Sequence, residues 1–190
     1  SLNTGISGDH WLGIEPVTGR DLIAQLLYGA RISLLVASLG TLFTVILGTL
    51  LGITAGYLGG RVDAALGWVM DLLLSFPQLI LLVALSPVIV QQIKDKFGFQ
   101  GEVTPRVIFL VVVFSAFGWP YLARIVRGQV LSLREREFVE AAVSIGSSTR
   151  RILFKEILPN LWVPIIVYAS ILLPTFIGAE AALSFLELEN

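Results

Sequence analysis

An all-α, polytopic bundle of transmembrane helices is the fold class this chain predicts, and three observations predict it. Composition comes first: 55% of the residues are hydrophobic and 14% charged, giving a mean hydropathy of +0.84, well above that of a soluble domain. Second, the apolar residues gather into about four stretches, each able to cross a hydrocarbon layer that needs roughly 20 residues per helix. Third, one long charged stretch, 134–160, separates the last two of them.

The polar, Gly-rich start from Ser1 has no basic region followed by an apolar core, so it is not a signal peptide. Together with the abrupt end at Asn190, it reads as part of a longer polypeptide. Thr18 and Asp21 stand at capping-box spacing, and Leu22, Ile23, Leu26 and Leu27 then share one helical face. This predicts a short amphipathic helix over 18–31, lying at the membrane surface. A first span follows over 32–57, with no charged residue between Arg31 and Arg61. Along it Gly40, Thr44, Gly48, Gly52 and Gly56 recur every fourth residue, a small-residue stripe that lets a second helix approach closely.

A second apolar segment runs over 62–90, interrupted by Pro77 and Pro87, each of which removes a backbone donor and favours a kink or break. Asp63 and Asp71 lie roughly on one side of it. An ionisable group as deep as Asp71 is a functional candidate. An interhelical hydrogen bond near the membrane boundary is the favoured reading, since no relay of titratable groups surrounds it. A polar loop is expected over 91–106, a third span over 107–122 with Trp119 and Tyr121 as interfacial anchors, and a fourth over 161–183 containing Pro164, Pro174 and, near its far end, Glu180. If the connections after the first and third spans are cytoplasmic, that side holds eight basic residues against five, the sign of the positive-inside rule.

Within the charged stretch, 134–144 reads as a helix, with Arg136 and Glu140 spaced for an i,i+4 contact. Gly146 supplies a turn, Ser147 or Ser148 can cap a second helix carrying Arg150, Arg151 and Lys155, and Leu158-Pro159 should end that helix at the membrane. Ala141 and Ala142 leave room for close approach by a partner. A loop needed only to keep out of lipid would not require two capped helices, so a docking surface is the reading adopted.

Several chemistries are excluded. There is no cysteine, hence no disulfide or thiolate site, and the single histidine, His10, cannot form a metal cluster. A net charge of −1 offers no field for nucleic acid. None of Lys94, Lys96 and Lys155 follows a glycine, so no phosphate-cradling P-loop is present.

The series Glu140-Ala141-Ala142-x-x-x-Gly146, followed by Ile157-Leu158-Pro159, resembles the EAA loop of bacterial ABC-importer permeases. Other segments resemble the C-type permease subunits of dipeptide, oligopeptide and nickel importers. They include Gly19-Arg20-Asp21, Ala55-Gly56-Tyr57-Leu58-Gly59-Gly60, Ser75-Phe76-Pro77, the run from Arg124 to Glu137, and Ala181-Ala182-Leu183-Ser184-Phe185-Leu186.

The resemblance implies a type I importer permease, a single transmembrane domain over 1–190 with about four of an expected six spans. Residues 1–31 would be an extracytoplasmic leader and interfacial helix, and 124–160 a cytoplasmic coupling loop. It implies ATP-binding subunits that hold ATP and Mg²⁺, a second homologous permease, an extracytoplasmic solute-binding protein, and the lipid of a bacterial inner membrane. This chain would bind no cofactor or metal and catalyse nothing itself. Coupling would fall to Glu140, Ala141, Ala142, Gly146, Arg136, Arg150, Arg151 and Pro159.

One departure is the ending Glu187-Leu188-Glu189, where the family usually has Gly-Leu-Gly; another is the long polar loop after the second span. A dipeptide or oligopeptide importer is the expected function, a nickel importer the alternative. An ion-coupled secondary transporter would need facing intramembrane ionisable groups. Asp71 and Glu180, the two candidates, fall toward opposite faces. A membrane anchor without transport is a third class, separable by whether ATP-binding subunits co-purify.

Overall fold

The computed structural model describes residues 21–188. Its long helices are α1 (Leu22–Leu58), α2 (Gly60–Ser75), α3 (Gln78–Phe97) and α4 (Val103–Leu133), followed by the short α5 (Glu137–Ser144). A further helical path begins with α6 (Thr149–Arg151), widens into a π-helix at Ile152–Ile157, tightens into a 3₁₀ turn at Leu158–Leu161, and continues as α7 (Trp162–Leu188). Among the described residues every regular element is helical, and four stretches are long and apolar enough to span a membrane: Leu22–Leu58, Gln78–Phe97, Val103–Leu133 and Thr149–Leu186.

The expected surface helix does not exist as a separate element. Nothing between Tyr28 and Ser33 breaks the helix, so the amphipathic turns and the first span fuse into α1, of 37 residues. Its N-cap is Asp21, whose Oδ1 accepts from the Ile23 N–H at 2.8 Å, rather than Thr18, which with His10 lies outside the described residues.

The second apolar segment divides at Phe76-Pro77, where extended backbone separates α2 from α3, while Pro87 is absorbed inside α3. At 16 residues, or roughly 24 Å, α2 is too short to cross the membrane. The polar loop is shorter than expected. Gln91, Gln92, Lys94 and Lys96 are good helix formers, the Gln91 amide donates to Asp95 Oδ1 at 2.8 Å, and α3 ends only at Gly98 (φ +67°). In the same way α4 runs well past Leu122, so that Arg124 and Arg127 belong to a helix rather than to the charged connection.

Helix α4 is the hub: 56% of its apolar stretch is buried, against 39% for α1 and 11% for α3. Contacts of Gly40 with Phe114, Gly48 with Leu122, Gly52 with Val126 and Gly56 with Val130 advance together, so α1 and α4 run parallel in constant register. Helix α7 runs the other way, since Phe114 stacks on Phe176 (centroids 4.5 Å apart) while Arg106 donates to Ser184 at 3.1 Å. The glycine stripe is what permits this closeness. A Cβ on Gly52 would stand 2.6 Å from the Ala123 carbonyl oxygen, and one on Gly48 2.8 Å from Leu122 Cβ. Thr44, in the same stripe, is fully buried and donates to the Phe114 carbonyl at 3.3 Å.

Candidate coupling surface and polar contacts

The connection between α4 and α7 is not a solvated loop. Glu137–Ser144 forms two turns of helix because Val139 and Ala142, three apart, bury one face while Glu137, Phe138, Glu140 and Ala141 are exposed on the other. Those two residues join Val126 and Val130 of α4, Ile152 and Ile157 of the π segment, and Leu161 in one apolar cluster. The segment is thereby held against the end of α4.

Gly146 follows with φ +77°, a left-handed value that L side chains rarely adopt. The Ser147 N–H reaches back to the Ala142 carbonyl at 3.0 Å and the Gly146 N–H to Val143 at 2.9 Å, closing the helix in a Schellman pattern. Ser148, not Ser147, then caps the next turn, accepting from the Arg151 N–H at 3.4 Å.

Leu158-Pro159 does not end the second helix. Proline removes one N–H, but widening to π geometry before it and tightening after it carry the path into α7. The Asn160 side chain also donates to the Glu156 carbonyl at 2.7 Å. Pro159 is exposed.

The coupling candidates therefore separate. Glu140, Ala141, Gly146, Arg136, Arg150 and Arg151 are exposed, whereas Ala142 is 5% exposed and faces its own chain. Ala142 thus packs the segment in place and offers no surface to a partner. No Arg136–Glu140 ion pair forms among the described residues; Arg136 instead caps α5, its carbonyl accepting from the Val139 and Glu140 N–H groups.

Sequence spacing had passed over a stripe on the outward face: Phe138, Ala141 and Ile145, at i, i+3 and i+7. Ile145 is 78% exposed at the tip of the turn and Val143 beside it 54%. The signal was available, since an isoleucine next to a turn glycine in a charged connection has no lipid or core to enter.

Asp71 makes an interhelical ion pair with Arg124 of α4. Asp63 grips Arg127 through two hydrogen bonds, from Nε and from a terminal nitrogen. The Arg127 guanidinium holds the Asp63 carboxyl below its usual range, against an opposing push from partial burial, with Arg134 assisting. Arg134 also donates to the Gly56 carbonyl at 3.3 Å, tying the ends of α1 and α4.

Glu180 lies at the opposite end of the bundle, half-buried in a recess of about 290 Å³ with Ser33, Arg106 and Ser184. Beside it, a cleft of about 590 Å³ opens between α3 and α4, lined by Ser86, Pro87, Lys94, Glu102 and Arg106. Among the described residues no group of three or more His, Cys, Asp or Glu side chains is placed to hold a metal ion.

Comparison with known proteins fits this architecture. A family model described as binding-protein-dependent transport system inner membrane component matches residues 48–188. The chain is 38% identical over 183 residues to the oligopeptide transport system permease protein OppC of Haemophilus influenzae, covering 96% of this chain and 54% of that protein. It is 34% identical over 183 residues to OppC of Bacillus subtilis (96% and 55%). Against a putative peptide permease protein of Brucella ovis, identity is 36% over 188 residues (99% and 57%). The chain spans about half the length of the curated relatives it matches.

Proposed function

The chain belongs to the binding-protein-dependent transport system inner membrane components, and from that premise we propose that it is a permease subunit of an ATP-driven importer of dipeptides or oligopeptides. It is a multi-pass protein of the bacterial inner membrane. The peptide substrate is supported by the three relatives named above, which are oligopeptide or peptide permeases by name. Energy enters from outside the chain: ATP and Mg²⁺ bind in separate ATP-binding subunits, a solute-binding protein delivers the substrate, and a second homologous permease completes the pathway.

The observation that carries the mechanism is α5 itself. It is a short helix fixed to the end of α4 by Val139 and Ala142, while Glu140, Ala141, Ile145 and Gly146 face outward. A push on that outer face passes into α4, the most buried span, and through it to α1 and α7. Closure of the ATP-binding subunits is the push. Arg136, Arg150 and Arg151 supply cations around the contact, and Pro159 stands where the π segment gives way to the 3₁₀ turn that leads into α7.

Gly146 tests this. A Cβ there would meet nothing within 4 Å, so a substitution acts through the left-handed backbone and not through a clash. Gly146→Val should cost about 1–3 kcal/mol of local strain, leave the complex assembled, and separate ATP hydrolysis from uptake. Gly146→Asn, which tolerates positive φ, should retain coupling. Normal substrate-dependent uptake by Gly146→Val would refute the role.

We infer that Glu180 touches substrate or pairs with the second permease; its half-buried position in a recess at the other end supports this. Glu180→Gln should reduce uptake or weaken association of the two permeases; a transporter unchanged in both would make Glu180 structural only.

A further inference from the structure

Helix α2 buries little of itself at the cytoplasmic end. Met70 is its one buried residue, and it stands between a glycine pair of positive φ, Gly59 (+63°) and Gly60 (+55°), and the Phe76-Pro77 break. A Cβ on Gly60 or Gly67 would meet nothing within 4 Å. The ends of α1 and α4, α5 and the π segment share one apolar cluster, which contains no residue of α2. Its apolar attachment is a smaller cluster, Met70 against Trp119 and Ala123 of α4, flanked by Leu51 of α1 and by its own Leu66, Val69 and Leu73.

Two ion pairs complete the attachment, Asp63 with Arg127 and Asp71 with Arg124. Their order is reversed between the helices. Eight residues along α2, roughly 12 Å, correspond to three along α4, roughly 4.5 Å, so α2 lies across α4 and is gripped at two points. Apolar contacts between such crossed helices can slide. The two-bonded Asp63–Arg127 pair fixes direction as well as distance, and the single, more exposed Asp71–Arg124 contact adds a second point of attachment.

From this juxtaposition we propose that Asp63 and Asp71 are positioning residues that clamp α2 across the cytoplasmic end of α4, so that α2 and the attached α3 move with α4. The consequence for transport rests on the reading of α5 as the coupling segment. A displacement entering through α5 then reaches α3, which forms the other wall of the α3–α4 cleft, through the clamp as well as through Leu82, which α3 contributes to a cluster with Phe109, Leu110 and Phe114 of α4, and not through the pliant glycine pair.

The test uses the complete transporter in liposomes, with spin labels on Gly67→Cys of α2 and Gly128→Cys of α4, two positions where an added Cβ meets nothing within 4 Å. With both pairs intact, the interlabel distance should be narrow and equal with and without trapped nucleotide. In Asp63→Asn/Asp71→Asn it should broaden, and uptake per ATP hydrolysed should fall about fivefold, the factor equivalent to about 1 kcal/mol for such pairs. Exchanging the charges, Asp63→Arg with Arg127→Asp and Asp71→Arg with Arg124→Asp, should restore both readouts.

An unchanged distance in the double variant, or no recovery on exchange, would overturn the clamp. A narrow distance that broadens as expected while uptake per ATP stays constant would uphold the clamp and remove the coupling reading instead.

Discussion

Replacing Gly52 with alanine adds one methyl group, and the structure shows where it must go. The new Cβ would lie 2.6 Å from the Ala123 carbonyl oxygen, 2.8 Å from Val126 Cβ and 3.0 Å from Ala123 Cα. Ordinary contact begins near 3.4 Å, so the overlap is about 0.8 Å, and it is against backbone, which no rotamer change relieves. Helices α1 and α4 must therefore part along a seam that also carries Gly48 and Gly56, opposite fully buried Leu122 and Val130. A gap of 0.5–1 Å forfeits roughly a quarter to a half of each dispersion contact along the seam, and overpacking of this kind costs about 1–3 kcal/mol.

The matched control is Gly128→Ala on α4, where the methyl group meets nothing within 4 Å; it should be neutral or stabilise by up to about 1 kcal/mol. The assay is thermal unfolding of the complex in mild detergent, followed by tryptophan fluorescence, with buried Trp119 beside Gly48 as a reporter of the seam. Gly52→Ala should unfold at lower temperature than the unsubstituted protein and Gly128→Ala should not. Equal midpoints for the two variants would refute the argument that the seam is closed by backbone contact.

Two further outcomes are expected. Ile145→Asp alters a side chain that is 78% exposed, so stability should change by no more than about 0.5 kcal/mol, while co-purification of ATP-binding subunits should fall. Retention of the subunits at unsubstituted levels would show that the outward stripe is not the contact. The Asp63–Arg127 contact should depend on pH in a fixed sense, because its carboxyl is held below the usual range by Arg127. The contact is at full strength above the ordinary carboxylate value of about 3.9 and is lost as pH falls through the lower, folded value. The Gly67–Gly128 label distance should thus stay narrow from neutral pH to about 4 and broaden only below it, and Asp63→Asn should be broad throughout.

Legibility in the sequence followed the strength of the local signal. Four spans and the Pro77 break were readable because hydropathy and a missing N–H are properties of the residues themselves. Element ends were not. The expected loop over 91–106 shrank because Gln91, Lys94 and Lys96 are polar yet helix-forming, and polarity alone does not stop a helix with solvent beyond it. Pro159 failed to end its helix because π and 3₁₀ turns on either side rearranged the hydrogen bonds, a choice governed by Ile152, Ile157 and Leu161 packing into the cluster with α4.

At the candidate coupling site the motif Glu140-Ala141-Ala142-x-x-x-Gly146 was legible as a pattern, and its turn glycine does take a positive φ. Which alanine faces outward was not, since both are equally small. By itself the sequence determined the membrane class, the small-residue stripe of α1 and the absence of a nucleotide loop, all of which depend on residue type and period. Only the tertiary structure decided that the stripe meets α4 in parallel, that Ala142 faces inward and Ile145 outward, and that Asp63 and Asp71 find Arg127 and Arg124. The two ion pairs join residues 53 and 64 positions apart, and no local periodicity carries the partner of a side chain on another helix.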